Sequence, residues 1–228
     1  MIGHQELTHL STTVGIPSAF NTQSPAFPLQ QQHPQQPATF GHVPYTYDER
    51  ERMADALARK LPPDCISQRS GGAAGQVKYI EGWRAIELAN EIFGFNGWSM
   101  SVLNNSIDFL DNVGPGPNDP RWTVGVTCTV RITLRDGSFR EDVGYGIGDN
   151  FRTKGQALEK TRKEATTDAL KRTLRLFGNS LGNCLHDKDF LRQVNTMPVQ
   201  RKTLSTEDIY RKGSMMQQPN CTFLTSLN

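Results

Sequence analysis

The chain has 228 residues, 36% of them hydrophobic and 21% charged, with a formal net charge of +2. That length holds one globular domain with tails. The charge excludes a histone-like polycation, so any affinity for a polyanion has to come from how the cations are placed. Residues 1–47 carry −1 and residues 203–228 balance to zero, which leaves +3 on residues 48–202. Cys65, Cys128, Cys184 and Cys221 are widely separated and form no CxxC pair. That spacing argues against a zinc site or a disulfide framework and fits a reducing compartment. No basic region followed by an apolar core opens the chain, and no apolar run approaches a membrane span, so a soluble intracellular protein is the expectation. The sequons at Asn104 and Asn220 then read as chance matches.

Residues 1–44 are rich in Gln, Pro, Ser and Thr and poor in charge, a composition that buries too little apolar surface to offset the entropy of ordering. A disordered tail is expected there, with order beginning near Tyr45. Asp48 to Leu61 reads as a short helix, acidic early and with Arg59 and Lys60 late, its apolar side made by Met53, Ala56, Leu57 and Leu61. Pro62-Pro63 ends it, and Asp64 reads as the cap of a helical turn over Cys65 to Arg69. The glycine loop at 71–75 lacks the GK[ST] ending of a phosphate loop. Val77 to Ile80 reads as a short strand. Trp83 to Phe93 reads as a helix burying Ile86, Leu88, Ala89, Ile92 and Phe93.

A strand is expected from Trp98 to Leu110 and a loop over 111–120. In Arg121 to Leu134, apolar residues alternate strictly from Trp122 to Leu134, the mark of a half-buried strand. Asp136-Gly137 signals a hairpin, and Ser138 to Ile147 reads as the returning strand with Phe139 and Val143 on its apolar face. Gly144 to Gly148 lacks the full GxGxxG spacing and reads as a strand-to-helix turn. The longest helical pattern follows, its stripe set by Ala157, Leu158, Ala165, Ala169, Leu170, Leu174 and Phe177, with Gly178 and Asn179 as a left-handed stop. The segment from Arg152 to Arg175 holds eight Lys and Arg against three acids. Lys171, Arg172 and Arg175 repel one another at i,i+3 and i,i+4 spacing. They either serve the helix dipole or form a seat for phosphates. A last helix is expected over Asp187 to Asn195, a short one is possible over Thr206 to Lys212, and the end of the chain reads as a polar tail. The fold class is therefore α+β, an antiparallel three- to four-stranded sheet packed on a long helix.

YIEGWRAIELANEIFGFNGWS at 79–99, FREDVGYG at 139–146 and EKTRKEATTDALKRTLRLFGNSLGNCLHDKDFL at 159–191 resemble the N-terminal domain of the Rad52 family of recombination and single-strand-annealing proteins. The similarity keeps its order from about Tyr45 to Arg192, which sets a domain at 45–197 between a 1–44 tail and a 198–228 tail. The resemblance implies subunits joined in a homo-oligomeric ring, with single-stranded DNA in a basic groove, backbone inward and bases outward. It implies an inner DNA site at Arg69, Lys171, Arg172 and Arg175, an outer DNA site at Arg121, Arg152, Lys188 and Arg192, and double-stranded as well as single-stranded DNA as partners. It further implies nuclear, ATP-independent annealing in double-strand break repair, with no enzyme activity, cofactor or metal. Full-length members carry a long C-terminal region that contacts replication protein A and a RecA-like recombinase. Nothing after Met197 matches that region, so annealing rather than recombinase loading is expected. Two other readings rank below this: a nuclease holding magnesium on Asp108, Asp111, Glu141 and Asp142, and a structural subunit of a ring built by a longer relative. Base stacking by Trp83, Trp98 or Trp122 also ranks below a core or interface role.

Overall fold

A computed structural model of the chain describes residues 40–71 and 75–199 and the single positions 203, 205 and 209. The expected tail at 1–44 lies almost wholly outside them, as do most of the expected 198–228 tail and the short helix over Thr206 to Lys212. Helix α1 spans Tyr47–Ala58. Its start is fixed by a capping box: the Thr46 hydroxyl accepts from the Glu49 N–H while the Glu49 carboxylate accepts from the Thr46 N–H. The helix ends before Arg59 and Lys60, so neither sits in its last turn.

A 3-10 turn at Pro63–Cys65 follows, capped by Pro62 rather than Asp64. The helical turn expected over Cys65 to Arg69 is not formed. Ser67–Ser70 is strand β1, paired antiparallel with β2 at Gln76–Tyr79, and Arg69 stands opposite Val77. A helix this short gains too few hydrogen bonds to offset its nucleation, and the hairpin partner supplies the hydrogen bonds of Ser67–Ser70 instead.

Helix α2 covers Gly82–Phe93 as expected, burying Ala85, Ala89 and Phe93, whereas Ile86 stays exposed. The main sheet is a three-stranded antiparallel meander of β3 (Trp98–Asn112), β4 (Trp122–Leu134) and β5 (Phe139–Phe151). The β1–β2 hairpin is a separate two-stranded sheet. The alternation read in β4 is real: Val124, Val126, Cys128, Val130 and Ile132 are fully buried. The β4–β5 turn occupies residues 135–137, with Gly137 at φ +89° and the Asp136 carboxylate accepting from the Ser138 N–H and hydroxyl. This is the three-residue hairpin loop that ends on a left-handed glycine.

The expectation for β5 was inverted. Phe139 and Val143 lie on its exposed face, and Gly144, Gly146 and Gly148 are the buried residues, inside the strand rather than in a turn beyond it. The cause is helix α3, Lys154–Arg175, which crosses the sheet directly over them. A Cβ on Gly144 would stand 2.1 Å from the Ala169 nitrogen, and one on Gly146 would stand 2.4 Å from the Thr161 oxygen. The helix answers with small residues at four-residue steps, Ala157, Thr161, Ala165 and Ala169, all fully buried. Glycines two apart on the strand thus meet a small-residue row on the helix, and backbone lies on backbone.

The chain leaves α3 through Gly178, whose φ of 167° is extended, not left-handed. Glycine is needed there because a Cβ would lie 2.6 Å from the Leu57 carbonyl oxygen of α1. Two 3-10 turns lead to α4, Lys188–Val194, capped by Asp187, which accepts from the Asp189 and Phe190 N–H groups. Among the described residues no helix is long and apolar enough to cross a membrane.

Candidate nucleic-acid interface

With 22 residues at a rise of about 1.5 Å, α3 is a rod roughly 33 Å long. Its packed face is fixed by the glycines of β5, and Lys171, Arg172 and Arg175 emerge along one flank beside that face. The β1–β2 hairpin lies against this flank near the C-terminal end, leaving a cleft of about 260 Å³ lined by Tyr79, Lys171, Arg172, Arg175 and His186, among others. A neighbouring cleft joins Arg69, Lys171, Lys163 and Lys160 beside Tyr145. The four residues of the inner set therefore converge, although Arg69 is about a hundred residues from the other three.

Tyr79 is the hinge of this convergence. The Arg69 guanidinium lies 5.6 Å and the Lys171 ammonium 5.5 Å from its ring centroid, both within cation–π reach. Its hydroxyl donates to Glu81 at 2.8 Å, which pushes the phenol's pKa up and keeps it a donor. Sequence reasoning missed Tyr79, which the hairpin register sets opposite Ser67, two residues past Val77, the partner of Arg69. Lys160 and Lys163 were counted in the charge excess of the helix but not placed in a site. Lys163 is eight residues from Lys171, and therefore on the same face.

Arg172 and Arg175 both reach Asp142 of β5, one to each carboxylate oxygen, at 3.4 Å. These contacts exceed the roughly 2.7–2.9 Å of a tight charge-assisted bond, so the guanidiniums are held loosely. The arrangement relieves the repulsion expected between them and leaves donors unspent, including the buried Arg172 Nε, which has no partner. Arg175 Nη1 also lies 2.8 Å from His186 Nε2.

The outer set does not converge within one chain. Arg121 and Arg152 flank the paired residues Trp122 and Phe151, at the end of the sheet where α3 begins and Lys154 lies over Trp122. Lys188 and Arg192 belong to α4, beyond the other end of α3, where Lys60 binds Asp187 at 2.7 Å. Arg121 is paired with Asp119 at 3.0 Å, and Arg192 is paired with Asp189. Arg152 and Lys188 are exposed and make no ion pair among the described residues. Of the four acids weighed as a magnesium site, three are otherwise engaged: Asp108 accepts from Thr127 at 2.6 Å, Glu141 pairs with Arg131 at 2.5 Å, and Asp142 serves the two arginines. Among the described residues, no three His, Cys, Asp or Glu side chains gather in a metal-binding group.

The sequence that builds this fold matches a known family. The model of the Rad52/22 family of double-strand break repair proteins matches residues 49–203. The chain belongs to the Rad52/22 family. It is 49% identical over 168 residues to the DNA repair and recombination protein rad22 of Schizosaccharomyces pombe, covering 74% of this chain and 35% of that protein. Identity to RAD52 of Eremothecium gossypii is 49% over 155 residues, covering 68% and 34%. For RAD52 of Saccharomyces cerevisiae it is 45% over 172 residues, covering 75% and 36%. The chain thus spans about a third of the length of the curated relatives it matches. The Rad52/22 match takes in nearly all of α1 and every element from β1 to α4, so both cation sets fall within it.

Proposed function

We propose that this domain binds single-stranded DNA along the α3 cleft and anneals it to a complementary strand, without ATP, cofactor or metal, in nuclear double-strand break repair. The observation that carries the reading is the convergence of Arg69, Lys171, Arg172 and Arg175 on one cleft, with Lys160 and Lys163 extending it. Such a strip neutralises phosphates, and it offers no array of side chains for reading base edges. Annealing needs that combination: backbone held, bases free.

The open face of the sheet supports assembly into a ring. Val143, Tyr145 and Ile147 on β5 stand on that face and are each between 45% and 50% exposed, an apolar strip of the kind that marks an interaction surface. In a ring, a few contacts per subunit add along one strand, so a modest net charge is enough. The split of Arg121 and Arg152 from Lys188 and Arg192 fits an outer strand or duplex site completed between neighbouring copies. Replacing Lys171 and Arg172 by Ala should weaken single-strand binding and lower its salt slope by roughly 1.4, at about 0.7 per lost phosphate contact, while annealing collapses. An unchanged salt titration would overturn the assignment. A folded wild type that binds but does not anneal would leave the chain as a ring subunit dependent on a longer relative.

A further inference from the structure

We propose that His186 is a proton-sensitive arm of the single-strand groove, accepting from Arg175 when neutral and joining it on a phosphate when protonated. The inference rests on the reading of the α3 cleft as the DNA seat. A guanidinium can only donate. The 2.8 Å contact between Arg175 Nη1 and His186 Nε2 therefore requires the lone pair on Nε2 and the proton on Nδ1. His186 ends the 3-10 turn Asn183–His186, whose entry at Gly182 has φ +109°, and it stands exposed at the rim of the cleft.

Protonation of Nε2 would turn this bond into two facing donors. In an empty cleft that is unfavourable. A phosphate between them reverses the sign, because both donors then point at one anion. The charged groups around the ring come from every side. Arg175, Arg172, Lys171 and Asp168 belong to α3, and Lys78 to β2. Asp142 of β5 is reached through Arg175, and Asp187, next in sequence, is held by Lys60. Carboxylates, ammoniums and guanidiniums ordinarily titrate outside the range pH 5.5–8, whereas imidazole titrates near 6.5. Proton and polyanion then favour each other's binding, reciprocally. Each unit by which a bound strand raises an imidazole pKa strengthens binding about tenfold below both pKa values.

The test is the affinity of the full chain for a labelled oligothymidine from pH 8.0 to 5.5 at fixed ionic strength. It is measured for wild type, His186→Gln, which keeps an acceptor for Arg175 but cannot titrate, and Lys171→Ala/Arg172→Ala. Thermal melts at each pH verify that the variants are folded. Wild type should tighten about five- to tenfold more than His186→Gln as the pH falls, and calorimetry in buffers of different ionisation enthalpy should show proton uptake on binding. Parallel profiles for wild type and His186→Gln, or proton release, would overturn the proposal. If those profiles are parallel while Lys171→Ala/Arg172→Ala weakens binding, only the histidine's role falls. If that double variant binds like wild type, the groove itself is misplaced and the histidine falls with it.

Discussion

Replacing Gly144 by Ala probes the contact that sets the whole basic flank in place. The added Cβ would stand 2.1 Å from the Ala169 nitrogen, 2.5 Å from the Ala165 oxygen and 2.6 Å from the Ala169 Cα. All three are backbone atoms in mid-helix, so no side chain can rotate away. Ordinary contact begins near 3.4 Å, so α3 has to retreat by more than about 1 Å. It would then lift from Val126, Cys128 and Val130, whose fully buried side chains lose dispersion contacts outright. Overpacking of a well-filled core costs about 1–3 kcal/mol, and the absence of a yielding neighbour puts this site at the upper end. Gly155→Ala is the matched control. It lies in the first turn of the same helix with nothing within 4 Å of the added Cβ, and should stabilise by up to about 1 kcal/mol. Chemical denaturation followed by circular dichroism measures both. Lifting α3 also moves Lys171, Arg172 and Arg175 away from Tyr79 and Asp142, so Gly144→Ala should lose single-strand affinity even where it remains folded. Equal stability of Gly144→Ala and wild type would refute the backbone-on-backbone account of this packing.

Two further outcomes follow from named charges. Asp142→Asn removes the carboxylate shared by Arg172 and Arg175. Binding to oligothymidine should tighten a few-fold at low salt and show a steeper salt slope, while stability falls by less than about 1 kcal/mol, since Arg172 is 41% exposed; a weaker, shallower binding curve would show that Asp142 positions the guanidiniums rather than competes for them. Glu49 is held down to a pKa of about 2 by the Thr46 N–H and then by the Arg135 guanidinium. A depressed carboxylate pKa contributes stability above its unfolded value, near 4.3, and loses it as the pH falls toward 2. Glu49→Gln should therefore melt below wild type at pH 7, with the gap closing between about pH 4.5 and 2; a gap constant across that range would disconnect Glu49 from the acid limb.

The elements that periodicity announces are those whose partners are apolar side chains. Strand β4 was legible because Val124 to Ile132 alternate and every second side chain is buried. Helix α3 was legible because Ala and Leu repeat at three- and four-residue steps. The misreadings occur where burial is achieved without side chains. In β5 the core face is Gly144, Gly146 and Gly148, so a pattern sought in apolar residues selected Phe139 and Val143, which face outward. The segment Ser67–Ser70 has no local preference strong enough to show that it pairs with Gln76–Tyr79. The inner cation set was named through family resemblance, and the charge excess on α3 pointed the same way. The partners that tune it, Tyr79, Asp142 and His186, come from three other elements and could not be read from one stretch.

The parity of a single strand links these features. Along β5, residues 142, 144, 146 and 148 share the face turned to α3, and residues 139, 141, 143, 145 and 147 share the other. The first set holds three glycines that admit the helix backbone, with Asp142 beyond them toward the end of α3 where Arg172 and Arg175 emerge. The second set gives the open sheet face its apolar surface, with Glu141 paired to Arg131 across the strands. A one-residue slip in the β4–β5 register would exchange the faces at once. It would drive Val143 and Tyr145 into the helix, expose the glycines and turn Asp142 away from the arginines. The Asp136-Gly137 turn fixes that register, with Gly137 at φ +89° and the Leu134 N–H donating to the Ser138 carbonyl at 2.8 Å. The geometry of the basic cleft therefore depends on a turn at the far end of the strand from the last glycine. The same alternation that seats α3 turns Val143, Tyr145 and Ile147 outward on the other face of the sheet.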